Sequence, residues 1–360
     1  MEYCKDGISR TRGSWLPHQP SRRVTSGCAR ISAMPETTPG EAVPPAAGAT
    51  ASGGQPFYRR SVLFFCLTTF FFWAALYVYV PVLAVYAQSL GANLSMVGVV
   101  VAAYAVPQLL LRIPLGVWFD TLRRRKPVVA AGVAMTSVGA LGLALAPDPW
   151  SLTLARAVTG VGAASWVALT VYFASYHRQQ EAGHAIGVIT FVNSAALVAA
   201  SLFGGIIAEK WGFKYTFFAG ALLGLMGVAA LVPAGEPEVE PAAQASWGVF
   251  ARVATHPLLM LVSLMSILAH FANFASVFGF VPVYAAGIGA SRVDLGIVTM
   301  LALASSAVAA LLVEPVARRR GSRSVIVLGS VLMCVTSVAV PFIHRVSVLG
   351  ASQVVYGLGR

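Results

Sequence analysis

The sequence has little charge of either sign, and negative charge is the scarcer of the two. Only 11% of its 360 residues are charged, with 25 Lys and Arg against 13 Asp and Glu. A soluble domain carries about 25% charged residues, so this composition excludes an ordinary soluble globular protein. The hydrophobic share of 57% and the mean hydropathy of +0.75 indicate a membrane protein instead.

Cysteine and the side chains of catalytic sites are also scarce. Of the 4 cysteines, Cys4 and Cys28 lie in a polar stretch and Cys66 and Cys334 in apolar runs, which predicts neither a disulfide framework nor a thiol–metal site. The sequence shows no nucleotide-binding motif, and its apolar runs hold no metal-ligand or nucleophile–base constellation. We therefore expect no enzyme, no cofactor and no metal. The net charge of +12 does not indicate nucleic acid, because the cations fall between apolar runs rather than on one polar face.

Long hydrophobic runs fill the chain from Ser61 onward. Each complete run reaches the roughly 20 residues that a helix needs to cross the hydrocarbon, and in lipid such uninterrupted runs satisfy their backbone only as helices. Nine complete spans are predicted at 61–87, 95–118, 127–146, 151–176, 185–208, 214–233, 258–286, 293–313 and 324–343. A tenth span begins near Val346, so we expect an all-α membrane protein with nine to ten helices present.

The polar ends and loops predict the orientation of these helices. Residues 1–60 form a tail that is too polar to fold and is expected to be disordered. Met34 is a candidate natural start, with 1–33 as upstream translation, and a genuine basic tail is the alternative.

Lys and Arg are concentrated in alternate loops such as 123–126 and 318–323. Cytoplasmic loops carry such an excess, so we expect a multi-pass protein of the plasma or inner membrane with a cytoplasmic N-terminus.

The chain is organised as two repeated halves. A proline-containing acidic segment, 234–256, reads as a cytoplasmic linker between an N-terminal half (61–233) and a partial C-terminal half (257–360). Parallel repeats of two six-helix halves place a substrate site between the halves. The repeat also predicts that the native chain continues past Arg360 for on the order of 70 residues, through helices 11 and 12. The recurring segments, at shifts of 197 to 201, are Gly91-Ala92 with Gly289-Ala290, Gly98 with Gly296, the loop 120–125 with 318–323, Val80-Pro81-Val82 with Val281-Pro282-Val283, and Gly160-Val161-Gly162 with Gly357-Leu358-Gly359.

Two motifs carry a resemblance to the major facilitator superfamily. The loop after the second span resembles the family pattern G-x-x-x-D-R-x-G-R-R, although a positive-inside loop without a motif is the plain alternative. It matches at Gly116, Asp120, Arg124 and Arg125 and departs at Thr121 and Arg123. The fourth span resembles the pattern L-x-x-x-R-x-x-Q-G-x-G-A-A. It matches at Leu152, Arg156, Gly160, Gly162, Ala163 and Ala164, with Thr159 in place of Gln.

The resemblance implies transport by alternating access, in which two halves rock about a central site. It also ties Arg156 to the coupling of proton movement and substrate. From the residues alone, Arg156 lies about two turns inside the membrane, where an isolated guanidinium is costly. It therefore faces a polar cavity or partner, or it snorkels back to the interface.

Other polar residues in the spans are candidates for a transport pathway. Arg112 either snorkels to the cytoplasmic face or faces a cavity beside Gln108. Asn193 lines a pathway or makes a helix–helix hydrogen bond. In the seventh span, His270 is a proton carrier or a structural group, and Asn273 lies beside it.

Small residues at helical spacing predict close helix packing. The fifth span carries Ala196, Ala200, Gly204 and Ala208 at i, i+4 spacing, followed by Gly205, and the fourth span has Gly160 and Gly162. Drug–proton antiporters of the family have the pattern G-x-x-x-G-P-x-x-G-G at the fifth span. The present sequence keeps only the final Gly pair, so it carries the packing surface without the full signature.

The basic loop predicts a conformational latch, and the charge of the span interiors predicts the class of substrate. Asp120, Arg124 and Arg125, next to Gly116, are expected to latch the cytoplasmic helix ends in the outward-open state, with Glu181 as an ion partner. From residue 61 onward every carboxylate lies in a loop or at a helix end. The membrane core is therefore net positive, which favours an anionic, zwitterionic or neutral substrate over a multivalent cation.

We therefore predict a secondary active transporter of a small molecule that works as a monomer in the bilayer. The expected drive is a proton gradient, and export of a drug or metabolite is favoured. Two alternatives remain open at this point. One is an uptake symporter for a sugar or organic anion, and the other is a non-transporting membrane protein or inactive fragment.

Overall fold

The computed structural model describes residues 56–236 and 255–360, which belong to one compact unit and hold helices and turns as their regular structure. Most of the predicted tail and most of the predicted linker lie outside the described residues. The boundary at residue 60 differs from the sequence prediction, because the first helix already begins at Pro56. Proline suits the first turn of a helix, and the Arg60 guanidinium lies 5.6 Å from the Phe64 ring centre one turn further on.

Nine helical spans in the described ranges are long and apolar enough to cross a membrane, as predicted. Span 10 is the shorter helix Val346–Gly359. These elements confirm an all-α membrane fold. Spans 1 to 9 are Arg59–Ser89, Leu94–Asp120, Lys126–Leu145, Pro149–Ala174, Ala182–Trp211, Phe213–Leu231, Pro257–Gly287, Arg292–Arg320 and Ser322–Phe342.

Several spans are interrupted rather than continuous. Span 1 is made of Pro56–Tyr77 and Val80–Ser89, span 2 of Leu94–Ala103 and Ala105–Asp120, span 4 of Pro149–Ala164 and Trp166–Ala174, and span 9 of Ser322–Ala339 and Val340–Phe342. Span 7 passes from Pro257–Asn273 through a π-helical segment, Phe274–Phe280, to Val281–Gly287. Pro81 and Pro282 both lie in the first turn after such an interruption, where a missing N–H costs nothing. The sequence repeat thus marks equivalent breaks in spans 1 and 7.

The repeat is also visible in the contacts between helices. A Cβ on Gly160 would lie 2.2 Å from the backbone oxygen of Tyr104, and one on Gly357 would lie 2.2 Å from the backbone oxygen of Ala302. Gly160 and Gly357 are related by a shift of 197, and their partners by 198. Span 4 therefore packs on span 2 as span 10 packs on span 8, and in both pairs only a glycine permits so close an approach.

The two halves meet at one end of the bundle. We call the end that carries the loop 121–125 the basic end and the opposite one the far end. Towards the far end, span 5 contacts span 8, where a Cβ on Gly205 would lie 2.7 Å from the Arg292 backbone oxygen. The backbone N–H of Arg292 donates to Glu209 Oε2 at 2.9 Å, and its Nη1 donates to the Ala208 oxygen at 2.8 Å. Near the basic end, large parts of spans 2, 5, 7 and 8 are exposed.

Candidate functional site

The first helix of span 4 places Arg156 two turns below the far end. Asp148 caps this helix by accepting from the backbone N–H groups of Trp150 and Ser151 at 2.8 and 3.1 Å, and Pro149 follows in the first turn. The backbone N–H and hydroxyl of Ser151 hold the pKa of Asp148 below its ordinary value. The cap fixes where the helix begins, and so fixes the depth of Arg156.

Arg156 is buried among aromatic rings, with 3% of its surface exposed. Its guanidinium carbon lies 4.4 Å from the ring centre of Tyr104 and 5.6 Å from that of Tyr79. Nη1 makes long hydrogen bonds of 3.4 Å to the hydroxyls of Tyr79 and Thr159. This is the geometry of a cation held against ring faces. A snorkelling guanidinium would lie at the surface. The buried position of Arg156 therefore rules out snorkelling in this structure.

No described carboxylate neutralises Arg156. Within 56–236 and 255–360, one ion pair has an N–O distance below 4 Å, and it joins Glu314 to Arg318 at the surface. Arg156 takes no part in it. The Nε atom of Arg156 is buried and has no hydrogen-bond partner in the same ranges. A buried positive charge with a free donor and weak neutral contacts is suited to an anionic group that arrives from outside the protein.

Glycines bring the neighbouring spans close to Arg156. Gly160 admits the backbone of Tyr104 one turn below the guanidinium, and this contact places the Tyr104 ring. Gly162 lies against span 3, where a Cβ would approach the backbone nitrogen of Thr136 to 3.0 Å. The glycines of the sequence motif therefore lie where neighbouring helices approach closely.

A row of aromatic rings joins Arg156 to the second half. Tyr104 stacks on Phe274 with ring centres 6.0 Å apart, and Phe274 lies 5.3 Å from Phe278. Phe278 then contacts Tyr77 at 5.6 Å, which lies 5.8 Å from Trp73. Both phenylalanines belong to the π-helical segment of span 7. Such segments occur frequently at functional sites. Sequence reasoning missed this row, because its members are ordinary apolar residues far apart in the chain.

The two polar candidates of span 7 differ in their surroundings. Asn273 is 3% exposed, directly precedes Phe274, and has an Oδ1 atom without a partner in the described part of the chain. It therefore lies beside the aromatic row. His270 is exposed, and its Nδ1 is 2.9 Å from the Ser266 oxygen of its own helix. The structure gives His270 no contact with the aromatic row.

The remaining pathway candidates lie outside this buried group. Gln108 and Asn193 are half-buried, and Arg112 is exposed on the second helix of span 2. All three remain predictions.

The small-residue stripe of span 5 contacts both halves. A Cβ on Gly204 would lie 1.7 Å from the backbone oxygen of Val78, at the break of span 1. Gly205, the next residue, faces Gly296 of span 8 at 2.9 Å by the same measure. Ala200 is buried on the same helix. Adjacent glycines thus allow one helix to pack closely on the first half and the second half together.

The members of the predicted latch are not joined to one another here. Arg125 is 5% exposed and lies 5.2 Å from the Phe119 ring centre. Asp120, Arg124 and Glu181 are exposed, and the described residues include no ion pair to them. Nearby, a Cβ on Gly116 would lie 3.7 Å from Val167, which is an ordinary contact. The latch remains a prediction about another conformation.

The structure reveals a contact at the basic end that sequence reasoning assigned to a linker. Glu236 Oε1 accepts from the backbone N–H groups of Arg125 and Lys126, at the start of span 3. Lys126 Nζ in turn donates to the oxygens of Val232 and Ala234 at 2.7 Å. A carboxylate at a helix N-terminus is favourable, so the segment that follows span 6 is tied to the start of span 3. A glutamate in a proline-containing segment gave no sequence signal for this role.

The sequence is similar to those of known membrane transport proteins. A sequence profile described as Major Facilitator Superfamily matches residues 65–360. The inner membrane transport protein YajR of Escherichia coli (strain K12) is 28% identical over 44% of the chain and 34% of its own length. The multi-drug resistance efflux pump PmrA homolog of Lactococcus lactis subsp. lactis (strain IL1403) is 25% identical over 84% of the chain and 77% of its length. The first of these relatives is therefore matched over only about a third of its length.

A solved structure gives the same fold. A bacterial homolog of the human lysosomal transporter Spinster, in an inward-facing and occupied conformation, superposes with a TM-score of 0.69 at 16% identity, over 85% of this chain and 72% of that one. Together with the helical spans and the profile match over most of the chain, this establishes the class of protein. The chain belongs to the Major Facilitator Superfamily, and it is a multi-pass membrane protein.

Proposed function

We propose that the protein is a secondary active transporter that exports an anionic small molecule by alternating access. The central site lies at Arg156 and the aromatic row between the halves. The observation that carries this proposal is the burial of an unneutralised guanidinium at the contact between the halves. Such a charge is expensive in a membrane interior unless it serves a ligand.

The arrangement of contacts supports an inward-facing state. The halves are closed together at the far end by the span 5–span 8 contact, while the spans near the basic end are exposed. Basic loops face the cytoplasm, so the open end and the N-terminus are proposed to be cytoplasmic. In this state the latch residues Asp120 and Arg124 would be separated from their partners, which agrees with their exposure.

The substrate class follows from the charge of the site. Arg156 offers a planar fork of donors that suits a carboxylate or phosphate. The described spans supply no carboxylate for pairing with a cationic group beside it. Export rather than uptake is proposed because a relative that covers most of the chain is named as an efflux pump. Proton drive is proposed from the family resemblance of the Arg156 motif.

Transport by inside-out membrane vesicles tests this function. The vesicles contain the full-length protein, and their interior is made more acidic than the medium. They should accumulate carboxyfluorescein, an anion, and should not accumulate ethidium, a cation. A protonophore should abolish the accumulation, and Arg156→Ala should reduce it to the level of empty vesicles. Accumulation of ethidium alone would contradict the substrate class. Accumulation that occurs only in right-side-out vesicles would contradict the direction.

A further inference from the structure

The internal repeat assigns a counterpart to Arg156 in the second half. The shift of 197 that carries Gly160 onto Gly357 also carries Arg156 onto Gln353 and Thr159 onto Tyr356. The glycine contacts of spans 4 and 10 show that this register holds in three dimensions. The position of the buried cation in one half is therefore occupied by a neutral amide in the other.

Gln353 and Tyr356 are buried polar groups that lack partners. Gln353 is 1% exposed, and neither its Nε2 nor its Oε1 atom has a hydrogen bond to any described residue. The Tyr356 hydroxyl is likewise buried and unpartnered within the described ranges. Buried donors and acceptors without partners are destabilising, and most such groups in proteins are satisfied. Two of them on one helix face point to a ligand that supplies the missing hydrogen bonds.

Both groups lie on the face of span 10 that is buried in the bundle. Leu349, Gln353 and Tyr356 lie at helical spacing on one buried face of span 10. Tyr356 belongs to the same buried cluster as Phe278 and Tyr77, members of the aromatic row. Tyr77 contacts Phe278 directly, with ring centres 5.6 Å apart. Tyr104, which the Arg156 guanidinium faces, belongs to that cluster too, so Tyr356 and the ring partner of Arg156 share one buried region.

We propose that Gln353 and Tyr356 form a neutral hydrogen-bonding subsite, which binds an amide, carbonyl or hydroxyl group of the molecule whose anionic group binds Arg156. The amide supplies one acceptor and two donors, and the phenol supplies one of each. Without a carboxylate, this subsite discriminates by hydrogen bonding and not by charge. The inference rests on the proposed function and narrows its substrate to anions with a neutral polar group.

Binding of two matched probes to the full-length protein in nanodiscs tests the subsite. Hippurate and 4-phenylbutyrate share a phenyl ring, a carboxylate and the spacing between them, but only hippurate has an amide in that spacer. The wild-type protein should bind hippurate about tenfold more tightly, which corresponds to about 1.4 kcal/mol of hydrogen bonding. Gln353→Met, which keeps the side-chain length, should remove this preference while 4-phenylbutyrate affinity changes less than twofold.

Stability and a control variant separate this role from a structural one. Gln353→Met should leave the melting temperature unchanged or raised, because it removes an unsatisfied buried amide. Ser352→Ala, on the neighbouring face where the hydroxyl bonds only to the Leu349 oxygen of its own helix, should keep the wild-type preference. Gln353→Glu should weaken both probes at least tenfold, since it adds a negative charge next to an anion.

The outcomes distinguish the subsite from the anion site. If Gln353→Met keeps the hippurate preference, or loses stability and both probes equally, the subsite is overturned while the anion site stands. If Arg156→Ala binds both probes as the wild type does, the proposed function is overturned. If the wild-type protein binds neither probe, both are overturned together.

Discussion

At the scale of single residues, the chemistry of the site depends on how Arg156 is held. Its guanidinium faces Tyr104 and Tyr79 and donates weakly to two hydroxyls. Cation–π contacts of this kind contribute about 2 kcal/mol when desolvated, which keeps the charge in place without neutralising it. The planar fork stacks on rings and still presents donors, and an ammonium group cannot reproduce both functions.

Arg156 should therefore be needed for transport and not for membrane insertion. We expect Arg156→Ala to lose at least 90% of anion flux, an effect of about 1.4 kcal/mol or more on the transport step. Arg156→Lys should restore only part of the flux. Flux in proteoliposomes at matched protein amounts measures both. Arg345→Ala, at an exposed position, is the control and should transport normally; full activity of Arg156→Ala would remove this residue from the site.

At the scale of helices, glycine contacts decide how closely the spans pack. Span 5 provides a matched pair, because a Cβ on Gly204 would lie 1.7 Å from the Val78 oxygen whereas one on Gly187 would have nothing within 4 Å. Both positions are helical. A Gly→Ala substitution at each position therefore separates the effect of helix propensity on stability from the effect of steric contact.

Gly204→Ala should push spans 1 and 5 apart and lower stability by about 1–3 kcal/mol. Gly187→Ala should raise it by up to about 1 kcal/mol through helix propensity. Thermal unfolding in detergent measures both variants. Equal melting temperatures for the two would show that the contact with Val78 does not constrain the helices.

The cap of span 4 should make stability depend on pH. Because hydrogen bonds from Ser151 lower the pKa of Asp148, its contribution is present above the ordinary Asp pKa of about 3.9. It is lost as the pH falls through the lower pKa of the folded state. Asp148→Ala should melt below the wild type at pH 7, and the gap should close in acid. Asp148→Asn, which still caps, should behave similarly at both pH values; a gap that persists unchanged at pH 3 would contradict the role.

At the scale of the whole molecule, the halves contact each other at the far end, and spans 2, 5, 7 and 8 are exposed near the basic end. Arg292 contributes to the closed end through two hydrogen bonds, from its backbone N–H to Glu209 and from its guanidinium to the Ala208 oxygen. Its guanidinium carbon also lies 4.2 Å from the ring centre of Phe213. Arg292→Ala should weaken this closure and shift the population towards an outward-facing state. Labelling of a cysteine introduced at the far end should become faster, while Arg345→Ala leaves it unchanged. An unchanged labelling rate for Arg292→Ala would exclude this role.

The basic end should control the return step of the cycle. Asp120 is exposed in this conformation, so its proposed ion contacts would form only when that end closes. Asp120→Asn should slow transport several-fold while substrate affinity stays within about twofold, as measured by flux and by equilibrium binding on the same preparation. Unchanged flux in Asp120→Asn, with binding abolished in Arg124→Ala, would replace the latch by a direct binding role for the loop.

The sequence by itself determined the number, approximate limits and repeated order of the helices. These features depend on local quantities, because a run of about 20 apolar residues is helical in lipid whatever its neighbours are. The depth of Arg156 followed from the same counting. The glycine spacing also predicted close packing, and the contacts of Gly160 and Gly204 agree with it.

Only the tertiary structure decided what surrounds the charge. Tyr79, Tyr104, Phe274 and Phe278 reach the site from three spans, and their apolar character gives the same signal wherever a helix buries them. The contact of Glu236 and the lack of hydrogen-bond partners at Gln353 were likewise invisible in the sequence, because a side chain's partners depend on which helices meet and at what register. Hydropathy is additive along the chain, whereas a binding site is made by contacts between residues that are distant in it.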